Sequence, residues 1–509
     1  MGETGVEPVT SCMSRKRSNH LSYPPLLFNL FYIFFNSPSL KTPKKEIFSK
    51  LKNTILKNIN LTKNRKEFLI EKVLLKSENI NFNNSLKDLV ILKVGGSVFL
   101  KDNILDIANF ISNKFRETKL VVVVSAIGRS PYPYSTDELI KTFNSIVNLN
   151  AIEDELIELA KSFVVSCGEN ICAGLLAAVL NILNKDIKAI PLNAFQSKII
   201  TTDNPVNAEI IDIEENIILD LINNGYTPII CGFQGVSRKG YLTTLKRGGT
   251  DITAAFLAKK LKSHFNFKGV YIIKDIDSLK IAPPNIIDNP ISIDYCNYDE
   301  LTEITYNGSQ VVHNDAVNIL HSDNIPLIIT SVNSNNQTII NSSYNPDRLI
   351  TNISVKENIT KFSLVFPKEK KDLPIYLDYI LSKISQQNIS LDFITLDIFN
   401  RKASFIVDKN YSNVILNIIE DFNKKLANKD RKIEYKILNK VCKVSVIGYG
   451  IRGKPGIMNR INKALLKNKI IILQAADSHI SISLLIPCKY LKLTVEAIYN
   501  EFCDDFLNR

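Results

Sequence analysis

From Leu89 onward, short apolar runs rich in β-branched residues alternate with longer segments of helical spacing, and this alternation most restricts the possible folds. The runs that predict buried strands are Val90–Val94, Leu120–Val124, Pro228–Cys231 and Gly269–Ile273. The segments that predict helices are Ile104–Phe115, Asp137–Leu149, Ile152–Ser162, Cys172–Leu183, Glu214–Asn223 and Thr250–Leu261. Strands separated by helices predict an α/β fold with a mainly parallel sheet between two helix layers.

A polar, Asn-rich loop at Ile340–Asp347 ends this pattern. Beyond it, two similar units of roughly 70 residues follow, each with the order strand, helix, strand, strand, helix, strand. The first begins near Ile350 and the second near Val441. We therefore expect a sheet domain at 88–345 and two ferredoxin-like units at 346–438 and 439–509.

The charge of the chain is concentrated at its start. The net charge is +12, but residues 1–87 hold 15 Lys and Arg against 6 Asp and Glu. The remainder carries only about +3, so it gives no reason to expect a nucleic-acid partner. We expect residues 1–87 to be a basic extension that is disordered or not part of the fold. Arg15–Arg17 followed by Leu26–Phe35 imitates a secretory signal, but nothing downstream is typical of a secreted protein.

Two further patterns restrict the cellular setting. No run of 18 apolar residues occurs, which predicts no membrane-spanning helix. The eight cysteines form no C-x-x-C pair, so neither a disulfide scaffold nor a zinc ribbon is indicated. A reducing cytoplasm fits this composition best. His313 and His479 are isolated from other ligand types, and no protein-only metal site is predicted.

Two glycine-rich stretches could bind an anion. Lys93–Ser97 reads Lys-Val-Gly-Gly-Ser between a strand and a helix. Glycines there let backbone N–H groups approach a phosphate, and the lysine supplies a positive charge, although such a turn is often only a tight connection. Thr243–Asp251 ends a loop and opens an apolar helix, where Thr250 or Asp251 would act as the cap and Arg247 would add charge.

Two other stretches lie where ligands bind in open α/β sheets. Ser125–Arg129 follows the carboxyl end of the strand Leu120–Val124. Ser166–Glu169 puts a carboxylate at the start of a helix, where it can simply favour the helix dipole. Cys167 is most simply a small buried hydrophobic residue rather than a nucleophile.

Taken in order, these stretches resemble the successive motifs of aspartokinases. The matching motifs are Lys93–Ser97, Val124–Arg129, Tyr134–Asp137, Ser166–Glu169, Gly232–Gly235 and Thr243–Asp251. The tail from Lys443–Gly448 through Pro455-Gly456 to Gln474–His479 resembles the second ACT domain of that family. The resemblance covers residues 89–509 and implies an amino acid kinase fold followed by two ACT domains.

The resemblance implies an aspartate kinase, which transfers the γ-phosphoryl group of ATP to the side-chain carboxylate of L-aspartate. That carboxylate has an ordinary pKa of about 3.9, so the nucleophile needs no general base. Lys93 would hold the γ-phosphate, and Asp251 would orient Lys93 and the substrate. Mg²⁺ would be carried by ATP. The other implied contacts to ATP are those of Gly95, Gly96, Ser97, Gly248, Gly249 and Asp275.

The resemblance also implies that three residues bind or support the aspartate substrate. Arg247 would bind a substrate carboxylate, Glu169 would face the substrate ammonium, and Ser125 would support the site. Glutamate, acetylglutamate and uridylate kinases share the fold, but the paired ACT-like tail and Gly232–Gly235 argue against each of them.

The departures from the family cluster at nucleotide positions. Lys274–Asn285 replaces the usual Thr-Asp-Val-x-Gly-Val-Tyr-x-x-Asp-Pro-Arg, and Gln310 stands where the family has lysine. Two basic contacts are therefore missing, which predicts a high ATP requirement. The departures also leave open an alternative from another class, a catalytically impaired amino-acid sensor.

The paired ACT-like units imply a homodimer or higher homo-oligomer inhibited by an end product of the aspartate pathway. The effector would lie between ACT units, near Asn388–Asp392 in the first and Asp477–His479, including Ser478, in the second. A cluster of N–H groups there can bind an α-carboxylate, and an acidic side chain can bind the ammonium. Lysine, threonine and meso-diaminopimelate remain possible effectors, and these turns could instead serve only for packing.

Overall fold

The structure, a computed structural model, describes residues 88–116, 118–147, 154–308, 311–343, 348–367, 373–426 and 432–507. The predictions for residues 1–87 and for Gln310 lie outside these residues.

The first part of the fold alternates strands and helices as the sequence predicts. Its elements from Asp88 to Leu261 are, in chain order, β1 (Asp88–Val94), α1 (Val98–Lys101), α2 (Ile104–Lys114), β2 (Lys119–Val124), α3 (Thr136–Ile146), α4 (Glu155–Val165), α5 (Cys167–Leu183), β3 (Lys188–Leu192), α6 (Ala194–Ser197), β4 (Ile199–Thr201), β5 (Ile210–Ile213), α7 (Asn216–Asn223), β6 (Tyr226–Cys231), β7 (Gln234–Ser237), β8 (Leu242–Thr244) and α8 (Gly249–Leu261).

The next segment completes the central sheet. Its elements are β9 (Asn266–Ile273), β10 (Leu279–Lys280), β11 (Ser292–Ile293), β12 (Tyr295–Asn297), α9 (Tyr298–Tyr306), α10 (Asn314–Ser322), β13 (Leu327–Thr330) and β14 (Gln337–Asn341). The strand order is β12-β14-β13-β9-β1-β2-β6-β3, and every pairing except β13 with β14 is parallel. The predicted mainly parallel sheet is therefore confirmed.

Strand β1 shows why these runs are continuously apolar. Leu89 and Ile91 belong to one hydrophobic cluster, while Val90, Leu92 and Val94 belong to another. Successive side chains of a strand point to opposite faces, so both faces of the sheet are covered. This burial fixes the strand and leaves its carboxyl end as the place where polar residues can meet.

Helix ends differ from the predictions where capping residues decide them. The helix predicted from Ile152 begins at Glu155, because Asp154 Oδ1 accepts a hydrogen bond from Leu156 N at 2.9 Å. The helix predicted from Cys172 begins at Cys167. The boundary loop predicted from Ile340 starts later, because Ile340 and Asn341 pair within β14.

Helices α4 and α5 adjoin at Ser166, and together they form an apolar stretch from Glu155 to Leu183, whose most apolar 18-residue window has a mean hydropathy of 1.8. By length and composition this stretch could cross a membrane. The sequence prediction did not identify it, because polar residues interrupt its apolar run. Half of the most apolar window is buried inside the fold, where Leu176 and Leu180 pack beneath the central sheet. The stretch is thus accounted for as a core helix of this domain.

The C-terminal part forms one six-stranded antiparallel sheet in the order β16-β17-β15-β18-β20-β19. Its elements are β15 (Asn352–Val365), α11 (Leu373–Gln386), β16 (Asp392–Asp397), β17 (Lys402–Asp408), α12 (Ser412–Lys425), β18 (Glu434–Ile447), α13 (Ile457–Lys467), β19 (Gln474–Asp477), β20 (Ser481–Pro487), α14 (Leu491–Glu501) and α15 (Cys503–Leu507).

The two ferredoxin-like units share their long central strands. Strands β15 and β18 pair over their whole lengths, with irregular pairing near Ile359. The second half of β15 and the first half of β18 belong to the first unit, whose core contains Phe362 and Ile433. The first half of β15 and the second half of β18 complete the second unit, whose core includes Ile353 and Val444.

The predicted element order of the second unit is therefore wrong in one respect. Within residues 432–507, β18, β19 and β20 supply three of its strands, and helices α14 and α15 follow β20. Its fourth strand is the first half of β15, which precedes the first unit in the chain. The first unit is thus inserted into the second, and the expected boundary at 438/439 falls inside the continuous strand β18.

Helix α9 joins the central-sheet domain to the shared sheet. Glu300 is buried, and its Oε1 accepts hydrogen bonds from Tyr449 N at 2.9 Å and from Thr351 Oγ1 at 2.5 Å. Asn307 Oδ1 accepts a hydrogen bond from Ser445 Oγ at 3.0 Å. The hydrogen bonds of the buried Glu300 fix the position of α9 against the ends of both long strands. Losing one of them would leave a buried polar group without a partner, which destabilises the fold.

A disulfide links Cys442 on β18 to Cys488 directly after β20. No local pattern indicated this pair, because the two residues are 46 positions apart and belong to no short cysteine motif. The prediction from the cysteine spacing, which indicated no disulfide scaffold, therefore missed the Cys442–Cys488 bond. Among the described residues, Cys167, Cys172, Cys231, Cys296 and Cys503 are free.

Candidate active site

The site begins at a buried lysine. Lys93, the penultimate residue of β1, is 6% exposed, and its Nζ lies 2.8 Å from Asp251 Oδ1. A buried ammonium needs such a partner, because removing an unpaired charge from water costs several kcal/mol. The pair joins the end of β1 to the first turn of α8, residues that are far apart in the sequence.

Two glycines after β1 keep the space beside this pair open. Gly95 N donates to Ile273 O at 3.2 Å, and a Cβ added at Gly95 would lie 3.5 Å from Lys93 Nζ. A Cβ on Gly96 would lie 2.4 Å from Ala126 O, so no larger residue fits there. The turn is therefore held between β9 and the loop after β2. Ser97 follows it, only partly exposed, at the start of α1.

Asp251 is fixed from a second side. Its Oδ2 accepts a hydrogen bond from His313 N at 3.1 Å. Burial alone would raise the pKa of Asp251, but the positive charges of Lys93 and Lys274 and these hydrogen bonds outweigh burial and lower it. Asp251 is thus held as a carboxylate that positions the Lys93 ammonium.

The start of α8 depends on Gly248. Gly248 has φ of +86°, and a Cβ there would lie 2.4 Å from the His313 ring. Gly248 and Gly249 therefore bring backbone close to the start of α10, where His313 Nδ1 accepts a hydrogen bond from Asp315 N at 3.2 Å. This role as a helix cap agrees with the interpretation of His313 as a structural histidine.

Glu169 is the most strongly perturbed carboxylate of the site. It is 1% exposed, and its Oε1 accepts a hydrogen bond from Ala126 N at 2.9 Å, while Oε2 has no protein partner. Burial raises the pKa of Glu169 to about 8 despite this bond. A buried carboxyl oxygen without a partner costs about 1–3 kcal/mol, which a donating ligand would recover.

The other predicted substrate residues differ in their setting. Ser125 Oγ donates to Thr250 Oγ1 at 3.0 Å, which ties the end of β2 to α8. Arg247 is exposed in the loop before α8. Its neighbour Lys246 is paired with Asp315 at 2.6 Å. The site therefore combines buried groups on strand and helix ends with an accessible guanidinium at its rim.

A cavity of about 600 Å³ lies beside the loop that follows β9. It is lined by the loop Lys274–Lys280 and by Pro283 and Pro284, the stretch where the sequence departs from the aspartokinase pattern that it resembles. Asp275 lies in this wall. Asn352 and Ile353 of β15 also line the cavity, so the shared C-terminal sheet reaches it.

Sequence reasoning missed one residue of this region. It treated Lys274 only as the loss of a family threonine. In the structure Lys274 follows β9, and its charge interacts with those of Lys93, Asp251, Asp275 and Arg129. Burial, reinforced by the charge of Lys93, lowers the pKa of Lys274 to about 8. The sequence did contain a signal for this role, because Lys274 places a positive charge where the aspartokinase pattern has an uncharged threonine.

The predicted effector residues fall at two strand edges. Asn388 is exposed just before β16, and Asp392 Oδ2 lies 2.8 Å from the buried Nζ of Lys443. Asp477 ends β19, and Ser478 Oγ lies 3.4 Å from Glu303 Oε1 on α9. The two edges approach each other where Gln474 Nε2 donates to Phe393 O at 3.3 Å. Asp392 is thus already part of an internal ion pair.

Comparison with known proteins agrees with this architecture. Residues 88–331 match the amino acid kinase family, and residues 444–502 match an ACT domain. Aspartokinase 1 of Bacillus subtilis is 29% identical over 400 residues, which cover 75% of this chain and 91% of the relative.

Solved structures share the fold. The aspartate kinase of Clostridium acetobutylicum superposes with a TM-score of 0.64 at 22% identity, over 81% of this chain and all of the other. E. coli aspartokinase III, solved with aspartate and ADP, gives 0.61 at 19% identity, over 82% of this chain and all of the other. The same enzyme with lysine and aspartate gives 0.60 at 19% identity, over 81% of this chain and 99% of the other.

Proposed function

Because this chain belongs to the aspartokinase family, we propose that it transfers the γ-phosphoryl group of ATP to the side-chain carboxylate of L-aspartate. The observation that carries the proposal is the buried pair of Lys93 and Asp251 beside the open glycine turn. A fixed positive charge next to a glycine-rich turn is suited to a transferring phosphoryl group.

The reaction needs no general base. A β-carboxylate oxygen of aspartate attacks the γ-phosphorus, and the bond from that phosphorus to the β–γ bridging oxygen breaks. The products are 4-phospho-L-aspartate and ADP. The substrate is ATP with Mg²⁺ bound to its phosphates, since Mg²⁺ favours phosphate oxygens and water over a cage of protein ligands.

The proposed phosphate contacts are those that the resemblance to aspartokinases implies. Lys93 holds the γ-phosphate, Gly96 and Ser97 present backbone groups to the phosphates, and Gly95, whose N–H is bonded to Ile273 O, keeps the turn beside them. Gly248 and Gly249 bring the start of α8 to the same place, and Asp251 orients Lys93. Asp275 contacts the nucleotide from the cavity wall. The Lys93–Asp251 pair and the hydrogen bond from Gly95 N to Ile273 O, which bring β1, α8 and the end of β9 together, support these assignments.

The proposed aspartate contacts are Glu169, Ser125 and Arg247. Glu169 Oε2, which has no protein partner, accepts the substrate ammonium, and Ser125 supports the strand end beside it. Arg247 at the rim binds a substrate carboxylate. The alternative of a sensor without catalysis is not favoured, since Lys93 and Asp251 retain a charged pair that an idle site would not require.

A hydroxamate assay tests the proposal, because an acyl phosphate reacts with hydroxylamine. The assay is run with L-aspartate and with L-glutamate as the matched acceptor, while ADP release is followed in parallel. We expect stoichiometric ADP and hydroxamate with aspartate only. ADP without hydroxamate, or equal product with glutamate, would contradict the proposed acceptor.

We further propose that an end-product amino acid inhibits the enzyme through the ACT units, with lysine or meso-diaminopimelate favoured over threonine. Asn388, Asp392, Asp477 and Ser478 are the proposed contacts. Because Asp392 is paired with Lys443, its contribution requires that this pair rearrange. Coupling is reciprocal, so an inhibitor that weakens aspartate binding must itself bind less tightly when aspartate is present. Calorimetric titration of each amino acid with and without aspartate tests this.

We propose that the chain forms a homodimer or higher homo-oligomer through the edge of β16. Four apolar side chains are exposed there: Ile394 at 53%, Leu396 at 52%, Ile398 at 63% and Phe399 at 90%. Such a patch is typical of an interface between protein chains. Light scattering of Phe399→Asp should show a smaller particle than the wild type. We propose a cytoplasmic location, because the proposed reaction is a step of amino-acid biosynthesis.

A further inference from the structure

Lys274 is this chain's own departure from the aspartokinase pattern, in which the position is threonine. Its backbone is fixed on two sides. Lys274 N donates to Thr330 O at 2.9 Å, and the preceding carbonyl, Ile273 O, accepts the hydrogen bond from Gly95 N at 3.2 Å. The residue is therefore anchored directly beside the glycine turn that receives phosphates.

The charges around Lys274 come from four elements. Lys93 lies on β1, Asp251 on α8, Asp275 on the same loop and Arg129 on the loop after β2. The three cations and two carboxylates leave an excess of positive charge in a partly buried place. Crowding of like charges is unfavourable without an anion, so this cluster is suited to a polyanionic ligand.

We propose that Lys274 binds the phosphates of the nucleotide and replaces a basic contact that this chain lost at Gln310 or Asn285. This proposal rests on the kinase function proposed above and extends it to a residue outside the family pattern. Lys274 lines the cavity of about 600 Å³, and its charge interacts with that of Lys93. On this proposal the polyphosphate extends from Lys93 towards that cavity. The high ATP requirement expected from the lost contacts is thereby offset.

The proposal carries a pH signature. The pKa of Lys274 is lowered to about 8 by burial and by the charge of Lys93. A bound phosphate favours the charged form, so nucleotide binding should take up a proton above pH 8 and weaken as the pH rises further. A residue with only a structural role would not produce this proton uptake.

The test measures ADP and ATP binding by calorimetry, in buffers of different ionisation enthalpy, between pH 7 and pH 9.5. Lys274→Thr restores the family residue, Lys274→Arg keeps the charge, and Lys268→Thr on β9, the strand that precedes Lys274, is the matched control. Lys268 pairs with Asp88 at the opposite end of β9. We expect about 10-fold weaker binding for Lys274→Thr, little change for Lys274→Arg and none for Lys268→Thr.

The outcomes separate this inference from the proposed function. If the wild type binds neither nucleotide, the kinase function itself fails. If it binds both and Lys274→Thr binds them within twofold, with the same proton uptake, only the role of Lys274 is overturned. Thermal unfolding of each variant checks that the substitution leaves the fold intact.

Discussion

The two halves of the site are built differently. On the side of β1, β2 and α8, Lys93, Glu169 and Asp251 are almost fully buried and are held by partners on other elements. On the nucleotide side, Asp275 and Asn285 are exposed, and a loop lines an open cavity. Groups that act on reacting atoms need fixed geometry and low dielectric, whereas a bound nucleotide can be held by several replaceable contacts. Sequence departures are therefore tolerated on the second side.

The largest expected effect tests the buried half. Lys93→Met should lower kcat by about 1,000-fold or more, because the charge acts on the transferring phosphoryl group. Removing one partner of a buried pair also leaves Asp251 uncompensated, at a cost of about 3–5 kcal/mol. The double variant Lys93→Met/Asp251→Asn removes both charges and should fold more stably than the single variant, yet remain inactive. Recovery of activity in the double variant would show that the buried charge of Lys93 is not required for catalysis, and would contradict the proposed difference between the two halves of the site.

The next effect concerns aspartate binding by Glu169. Glu169→Gln keeps an oxygen for Ala126 N but loses the negative charge, so the KM for aspartate should rise about 100-fold at pH 8.5. Wild-type KM should fall as the pH rises towards about 8, because only the ionised carboxylate binds the ammonium. In the variant this pH dependence should disappear, as steady-state kinetics from pH 6 to pH 9 would reveal.

The same residue gives a stability test of opposite sign. The pKa of Glu169 is raised in the folded state to about 8, from an ordinary value of 4.5. The folded protein then binds the proton more tightly than the unfolded chain, and stability is lost as the pH rises between these values. Urea unfolding should show Glu169→Gln as stable as the wild type at pH 4 and more stable at pH 9.

A smaller effect is expected at the rim. Arg247→Ala should raise the KM for aspartate about 10-fold with little change in kcat, because an exposed guanidinium contributes mainly to binding. Lys246→Ala removes the neighbouring charge and serves as the control. Thermal unfolding should be unchanged in both, since both side chains lie at the surface. A large fall in kcat would place Arg247 in the buried half instead.

The smallest expected effect concerns the stability of the loop on the nucleotide side of the site. Burial raises the pKa of Asp277, but hydrogen bonds from Asn336 and Lys280 outweigh it and lower the value to about 2. A depressed pKa stabilises the fold above the ordinary value of 3.8, and this contribution is lost as the pH falls towards 2. Asp277→Asn should lower the free energy of unfolding by about 1–2 kcal/mol at pH 7. Asp288→Asn, at an exposed carboxylate between β10 and β11, should change it by less than about 0.5 kcal/mol.

The sequence predicted the central strands because their burial on both faces leaves an unbroken apolar run. It also indicated Lys93 and Asp251, since glycine-rich turns and a charged residue at a helix start have local signals. Their mutual contact, the raised pKa of Glu169 and the role of Lys274 depend on residues distant in sequence. The sharing of β15 and β18 was missed for the same reason, because strand pairing between residues about 90 positions apart leaves no periodic pattern.

The interleaving of the two ACT units limits how this protein can be divided into exchangeable parts. A cut at 438/439, or removal of residues 441–509, would sever β18 and leave the first half of β15 without its neighbour. An unpaired edge of this kind promotes aggregation. A regulatory cassette that respects the sheet would run from residue 348 to 507, while the inserted unit alone would be excised between Asn358 and Asn439. Chimeras joined at 438/439 should be less soluble than chimeras that exchange residues 348–507 as one piece. This difference should appear before any difference in regulation can be measured.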